Sequence, residues 1–192
     1  MEEITKIRQE LERTRTELAI LYEISNAMRT TLKLDEVLYI ILTGVTAHMG
    51  LGFNRAILFL VNDKLGIIEG KMGIGPETGE EANRIWNQIE QEKMDMDDLI
   101  NAYKFSNTSA EGGFTQQVKR LKMPLHEQGG LLALSVMDGM PLHLTRETVK
   151  NYSGDAVIQL LKSEELVVVP MKAKDKVNGI SLADNFITKK PI

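Results

Sequence analysis

The chain has 192 residues, of which 43% are hydrophobic and 26% are charged, and its formal net charge is −4. This length fits one domain with an appendage, and the negative charge argues against a general nucleic-acid-binding surface. The chain contains no cysteine, which excludes disulfides, thiol nucleophiles and thiolate metal sites. No apolar run is long enough to span a membrane and the N-terminus has no apolar signal core, so we expect a cytoplasmic protein.

Residues 1–32 are predicted to form one long helix, because the segment contains no proline or glycine and is periodic throughout. Apolar residues recur alternately three and four positions apart as far as Leu32, which is the heptad pattern of a coiled coil with polar interruptions at Thr14 and Ser25. We therefore expect a homodimer whose interface contains Ile4, Ile7, Leu11, Leu18, Leu21 and Met28. The alternative is an amphipathic helix that folds back on its own domain.

The charges beside this seam favour a parallel pair of helices. With Ile4 at heptad position a, Glu3 and Glu10 occupy g positions, whereas Arg8 and Arg15 occupy e positions. In a parallel coil each g residue meets the e residue five positions further along the partner, so opposite charges meet in both cases. Each exposed pair contributes only about 0.3 to 0.5 kcal/mol, so the pairs select the orientation and the apolar seam supplies the affinity.

Further helices are predicted along the chain. The apolar stripe of residues 20, 24 and 27 predicts that the second half of the first helix packs on the sheet. A second helix is expected to have Asp35 as its N-cap and Gly50 just beyond its end. Its predicted buried face consists of Leu34, Val37, Leu38, Ile41, Leu42, Val45 and Met49. Helical patterns also cover residues 78–105, with a break capped by Asp95 or Asp97, and residues 116–122 and 154–162, whereas residues 131–136 fit a helix or a strand.

Two strongly apolar stretches predict antiparallel hairpins. The first, NRAILFLVNDKLGIIEGKMGIGP, spans residues 54–76, and the second, LVVVPMKAKDKVNGISLADN, spans residues 166–185. In the second hairpin, Pro170 is expected at an edge, a strand end or a bulge, and Gly179 at a bulge or a close backbone approach. The polar pair Asp184 and Asn185 that ends this hairpin is expected to turn the chain. In the first, the glycine-rich segment 70–75 is interpreted as a turn, since it lacks the lysine-serine ending of a phosphate-binding loop.

These two hairpins resemble the opening and closing hairpins of GAF domains, and GIGP resembles the loop that follows the opening one. The similarity runs from about Leu18 to Ile192. It implies an α+β fold, with an antiparallel sheet flanked by helices, and two parts: an N-terminal coiled-coil helix, 1–32, and a GAF domain, 18–192. GAF domains normally continue into a last helix beside the first, so the chain is expected to be a piece of a longer protein.

The resemblance implies a sensory or regulatory module of a signal-transduction protein, which binds a small molecule without a covalent bond. The signal would pass to an attached output domain of the kinase or cyclase type, as in a sensor histidine kinase. The alternative is a structural homodimerisation module without a ligand. An enzyme is not expected, because no nucleophile-base pair is recognisable in the sequence.

The resemblance also limits the cofactors. Without cysteine, neither a covalently linked bilin nor cysteine-based methionine sulfoxide reduction is expected. Some GAF domains hold haem through histidine, but His48, His126 and His143 lack the spacing of metal ligands, so haem is not expected either. The acidic cluster at residues 95, 97 and 98 could hold a cation, although such a cluster on an amphipathic helix is more often a capped, solvated face.

The candidate ligand site lies between the two hairpins, in the region that walls the ligand pocket of GAF domains. Polar residues there could orient a small molecule within an apolar cleft, and a tryptophan could stack on it. The candidate ligand-binding residues are Ser135, Asp138, Asp155, Gln159 and Trp86. The competing interpretation is that Asp155 caps a helix, Asp138 lies in a turn and Trp86 packs in the core.

Overall fold

The computed structural model describes residues 2–29, 31, 33–47, 50–105 and 113–192. These residues form a six-stranded antiparallel sheet with helices on both faces, which confirms the predicted α+β fold class. The strands are β1 (Arg55–Asn62), β2 (Ile67–Ile74), β3 (Lys122–Pro124), β4 (Leu142–Leu144), β5 (Leu166–Ala173) and β6 (Lys176–Asp184). The helices are α1 (Glu2–Met28), α2 (Leu34–Thr46), α3 (Gly79–Glu92), α4 (Met96–Phe105), α5 (Gly113–Lys119), α6 (Leu131–Asp138) and α7 (Ala156–Leu161), with a 3₁₀ turn at Val149–Tyr152.

Both predicted hairpins are confirmed and form the centre of the sheet, whose strand order is β3-β2-β1-β6-β5-β4. The hairpins are joined by the pairing of β1 with β6, which places Arg55 opposite Asp184. The short strand β3 was not predicted, because three residues ending in proline are too few to show alternation. Pro170 lies on β5 beyond the residues that pair with β4, which agrees with its expected place at an edge.

Alternation along the strands separates two apolar layers. Ile57 and Phe59 of β1 point into a large buried cluster beneath α5, α6 and α7. Ala56 and Leu58 point to the opposite face, where α2 covers the sheet. Helices α1 and α4 pack on the outer side of α2 and form a third, smaller cluster. The sheet is therefore covered by helices on both sides, and α1 lies outermost.

Helix α1 confirms the predicted long helix but ends at Met28, and Leu32 lies outside the described residues. The prediction that its second half packs on the sheet was wrong, because α2 lies between them. Ile20 and Ala27 are buried, and Ile24 packs on α2 where Gly44 leaves room for it. A Cβ at Gly44 would lie only 2.2 Å from Cδ1 of Ile24. The absence of a side chain at this position thus lets the two helices approach.

The predicted ends of α2 are corrected by the structure. The helix begins at Leu34 after the N-cap Lys33, so Asp35 lies in the first turn and pairs with Lys71 of β2 at 2.7 Å. At the other end the helix stops at Thr46, and Ala47 is the C-cap residue. Asp35 stabilises the helix N-terminus by its charge rather than by a capping hydrogen bond.

The buried face of α2 also differs from the prediction. Leu34 is exposed, whereas Ile40 is buried against α1 and α4. A single-faced helical pattern cannot identify such a residue, because α2 is covered from two sides. Gly50 does not end the helix; it lies where a Cβ would come 2.1 Å from the carbonyl oxygen of Gly44. Met49 lies outside the described residues.

The predicted break between α3 and α4 is confirmed and is made by Asp95. The backbone N–H of Asp98 donates to the Asp95 carboxylate (2.9 Å), and the N–H of Asp95 donates to the Asp98 carboxylate (3.1 Å). This reciprocal pair is a capping box, so two acidic residues of the cluster begin a helix. The segment 131–136, ambiguous in the sequence, belongs to α6.

The glycine-rich segment 70–75 was predicted to be a turn, but residues 70–74 belong to β2. Its glycines allow α5 to approach the strand. A Cβ at Gly70 would lie 1.9 Å from the backbone carbonyl oxygen of Val118, and a Cβ at Gly73 would lie 2.9 Å from Cγ2 of the Val118 side chain. The Thr115 hydroxyl donates to the Gly73 carbonyl at 2.7 Å. Close packing against a helix, rather than turn chemistry, thus accounts for these glycines.

Among the described residues, none of the helices combines the length and the apolar character that crossing a membrane requires.

Candidate functional site

The candidate cleft lies between the sheet and the helices α6 and α7. Its floor is formed by Phe59 of β1 and by Ile180 and Leu182 of β6, all almost completely buried. Its roof is formed by side chains of α6 and α7, including Leu131 and Val157. Floor and roof belong to one continuous apolar cluster, so the described part of the cleft is packed with the protein's own side chains.

Asp155 joins the two roof helices at their N-termini. One carboxylate oxygen accepts from the N–H of Val157 in α7 (2.9 Å), and the other accepts from the N–H of Leu131 in α6 (2.9 Å). A side chain at Gly130 would collide with this carboxylate, since a Cβ there would lie 2.4 Å from Oδ2, and its φ is +86°. The expected capping role is confirmed, and one residue holds two helix ends rather than one.

The other candidate residues are not brought together at one point. Ser135 is fully buried in α6, where its hydroxyl donates to the carbonyl oxygen of Met140 at 3.1 Å. Asp138 and Gln159 are exposed. Trp86, for which core packing was the competing interpretation, is 36% exposed, and the buried residue of α3 is Ala82. Of the five candidates, Ser135 and Asp155 lie inside the cleft region, and both already bond to the backbone.

A buried ion pair at the rim of this cleft was missed in the sequence. Arg55 and Asp184 form two hydrogen bonds, from Nε to Oδ1 (3.0 Å) and from Nη2 to Oδ2 (2.6 Å), and both residues are almost completely buried. Nη2 also donates to the carbonyl oxygen of Leu161, the last residue of α7 (2.7 Å). The guanidinium lies 4.2 Å from the Phe186 ring centroid and 5.7 Å from that of Phe114. The expectation that Asp184 helps to turn the chain is confirmed, because its carboxylate accepts from the N–H of Phe186 in the following turn (3.1 Å), but Asp184 also anchors a buried charge.

The residues after β6 form a compact turn, residues 185–190, which we call the C-terminal turn. The Asn54 side-chain oxygen accepts from the N–H groups of Ile187 (2.9 Å) and Thr188 (2.7 Å). Within the turn, the N–H of Lys189 donates to the carbonyl oxygen of Asn185 (2.8 Å). The two neighbouring residues Asn54 and Arg55 therefore hold the C-terminal turn against the sheet. The sequence gives no direct signal for this arrangement, which follows from the pairing of β1 with β6 that sets Arg55, the first residue of β1, opposite Asp184 at the end of β6.

The histidines show no common site. The Nε2 atom of His143, on β4, is 2.8 Å from the Glu165 carboxylate. The ring of His126 accepts from the N–H of Gln128. His48 lies outside the described residues. Within the described part of the chain, no group of three or more histidine or acidic residues is arranged to hold a metal ion.

The described groups whose pKa values are shifted, Tyr39 and Glu69, lie away from the cleft. Burial raises the pKa of the Tyr39 phenol, on the α2 side of the sheet, above its usual value. A hydrogen bond from Lys122 lowers the pKa of the Glu69 carboxyl, at the pairing of β2 with β3. Both shifts follow from local packing and pairing, and neither indicates an acid or base prepared for chemistry.

Solved structures share this architecture, although no protein-family model and no curated protein matches the chain. The GAF domain of a phosphoenolpyruvate-protein phosphotransferase from Coxiella burnetii is 14% identical, with a TM-score of 0.59 over 90% of this chain and 79% of that one. A segment of a methyl-accepting chemotaxis protein is 16% identical, with a TM-score of 0.56 over 88% and 82%. The phycocyanobilin-bound GAF domain of a cyanobacterial phytochrome is 12% identical, with a TM-score of 0.55 over 92% and 82%. The chain therefore has a GAF-like fold.

Proposed function

We propose that this chain is the sensory or regulatory module of a signal-transduction protein and that it works as a parallel homodimer through α1. Changes in the module would pass along α1 to an attached output domain of the kinase or cyclase type. The GAF-like fold supports this proposal, as do similar folds in a chemotaxis protein and a phosphotransferase. The observation that carries it is the exposed apolar stripe of α1.

This stripe remains open to solvent in the single chain. Five of the six predicted interface residues have between 48% and 61% of their surface accessible, and they are Ile4, Ile7, Leu11, Leu18 and Leu21. The sixth, Met28, is partly buried and packs against the cluster that α1 forms with α2 and α4. The residues of α1 that are buried, Ile20 and Ala27, lie on a different side of the helix. A row of large apolar side chains at heptad spacing, interrupted at Thr14, favours a partner helix. The charge pattern of Glu3 and Glu10 with Arg8 and Arg15 fits a second copy of the same helix.

Binding of a small molecule is the second part of the proposal. The ligand would enter the region between the sheet and α6 and α7, beside Ser135 and Asp155, and would bias the position of these helices. The packed state of the described cleft favours the alternative, a homodimerisation module without a ligand. Both versions of the proposal include the homodimer, and they differ in whether a small molecule binds to it.

Introduced cysteines test the parallel orientation, because the chain has none of its own. In a parallel coil, Ile7 at a d position meets Ile7 of the partner, whereas Gln9 at an f position points away. With an added mild oxidant, Ile7→Cys should form a disulfide-linked dimer on a non-reducing gel, and Gln9→Cys should not. Equal cross-linking of the two variants, or none in Ile7→Cys, would contradict the parallel coil.

Thermal unfolding with cyclic nucleotides, haem and small metabolites tests the ligand. A compound that binds only the folded protein raises Tm, and the stabilisation grows with the logarithm of the ratio of ligand concentration to Kd. The sensory version predicts that at least one class raises Tm, with a smaller rise in Asp155→Asn. A flat response to all classes would favour the ligand-free module.

A further inference from the structure

We propose that Arg55 couples helix α7 to the C-terminal turn, so that a displacement of α7 is transmitted to residues 185–190. Arg55 is a positioning residue in this scheme: it touches no ligand and acts through the elements it holds together. The inference builds on the proposed function, because α7 walls the proposed ligand site. It adds a second route, separate from α1, by which a structural change in the cleft would reach another part of the protein.

The guanidinium of Arg55 contacts three other elements of the fold: β6, α7 and the C-terminal turn. Arg55, at the start of β1, bonds to Asp184 at the end of β6 and to the carbonyl oxygen of Leu161 at the end of α7. Its face lies over the ring of Phe186 in the C-terminal turn. A guanidinium is planar and rigid, so its donors and its face cannot move independently. A change at any one contact therefore acts on the others.

Arg55 also anchors the C-terminal end of α7. Leu161 is the last residue of the helix, and the last carbonyls of a helix have no partner within it. Arg55 supplies both the donor and the positive charge that suit this end. Asp155 fixes the other end. The helix has only six residues, so a displacement at its N-terminus moves the Leu161 carbonyl with it.

The C-terminal turn is attached to the sheet beside Arg55. Its backbone is held by Asn54, next to Arg55 in the chain, and by the Asp184 carboxylate, which accepts from the N–H of Phe186 at 3.1 Å. The Lys189 ammonium also lies over the Phe186 ring, 4.6 Å from its centroid. The ring therefore contacts two cations, one of which belongs to the buried pair. The turn is fixed to the same residues that hold α7.

The contacts of Arg55 differ in the free energy that it costs to break them. Both members of the Arg55–Asp184 pair are almost completely buried, and a buried charge that loses its partner is strongly destabilising. The guanidinium therefore keeps its bonds to Asp184 when α7 moves, so a shift of the Leu161 carbonyl turns the guanidinium about that pair and alters its contact with the Phe186 ring.

Native-state hydrogen exchange measures the coupling at the amides of Ile187 and Thr188, with the amide of Leu58 in the middle of β1 as reference. Asp155→Ala disturbs α7 from its far end. We expect it to speed exchange at Ile187 and Thr188 by about threefold or more, relative to the Leu58 amide. In an Arg55→Lys background, which keeps a charge for Asp184 but loses the planar fork, the same substitution should change the exchange ratio little.

Asp95→Ala is the matched control, because it removes the cap of α4, a helix that Arg55 does not touch. It should leave the exchange ratio unchanged in both backgrounds. An Asp155→Ala effect of equal size with and without Arg55, or no effect in the wild-type background, would overturn the proposal. If circular dichroism shows that Arg55→Lys does not fold, Phe186→Ala replaces it, because it removes the ring contact and leaves the ion pair.

The measurement uses the chain without a ligand or an output domain, so its result is independent of the proposed function. A monomer without a ligand could still show the coupling, and a ligand-binding dimer could lack it. Failure of one proposal is therefore distinguishable from failure of the other.

Discussion

At the scale of single residues, the buried pair of Arg55 and Asp184 is the feature with the largest expected energy. Asp184→Asn would leave a buried guanidinium without a counter-charge, and breaking such a pair costs about 3 to 5 kcal/mol. We expect a loss of this size in the free energy of unfolding measured with urea. Glu164→Gln is the control, because the Arg146–Glu164 pair is exposed and such pairs contribute about 0 to 1 kcal/mol. Equal losses in the two variants would show that burial does not matter at this site.

Gly179 of β6 is the second test at this scale. A Cβ there would lie 2.8 Å from the carbonyl oxygen of Phe59 and 2.6 Å from Cε of Met171. The methionine can move, but the strand backbone cannot, so Gly179→Val should cost about 1 to 3 kcal/mol in the same unfolding measurement. Gly79→Ala is a matched control, since nothing lies within 4 Å of the added carbon. A Gly179→Val variant as stable as the wild type would contradict the close approach.

The sequence identified Gly179 and the capping role of Asp155, because glycine within a strand and aspartate before a helix have local meaning. It did not identify the ion pair. Arg55 and Asp184 are 129 positions apart, and each stands next to an apolar run in a place where a charged residue usually ends a strand in solvent. Only the pairing of β1 with β6 shows that the two charges meet in the interior.

At the scale of elements, the N-termini of α6 and α7 provide a graded prediction. Asp155→Ala removes the acceptors of both helices, and one lost cap costs about 1 kcal/mol, so we expect about 2 kcal/mol in all. Asp155→Asn keeps one acceptor oxygen and should lose roughly half as much. Asp138→Ala, also among the candidate ligand residues but exposed, should have little effect. Equal stability of Asp155→Ala and Asp138→Ala in urea would show that the double cap contributes nothing.

The elements that the sequence predicted best are the two hairpins and α1, because their apolar patterns extend over many residues. Short elements were missed, as with β3 and the 3₁₀ turn, which contain too few residues for periodicity. The glycines of β2 were misinterpreted, because the sequence does not show that α5 packs directly on the strand at Gly70 and Gly73. The candidate ligand site stays a prediction. Ser135 and Asp155 lie beside the cleft between the sheet and the helices α6 and α7, but which of their atoms are already bonded depends on the tertiary structure and could not be predicted from the sequence.

At the scale of the whole molecule, the stripe of α1 defined by residues 4 to 21 has no partner within the described part of the single chain. The contacts of α1 with α2 and α4 bury its second half only. A helix of this kind is marginal when isolated, so the proposed dimer would need contacts between the paired domains in addition to the coil. The exposed charge pairs should make the assembly weaker at high salt.

Light scattering of the intact chain, coupled to size-exclusion chromatography, tests this assembly most directly. We expect the wild-type chain to have twice the mass of one 21.5 kDa chain, and Leu18→Asp, which places a charge in the seam, to have the mass of a monomer. Thr16→Asp, at the f position on the opposite side of α1, should remain a dimer. A wild-type chain that is monomeric at all working concentrations, or a dimer that Leu18→Asp leaves intact, would contradict dimerisation through α1.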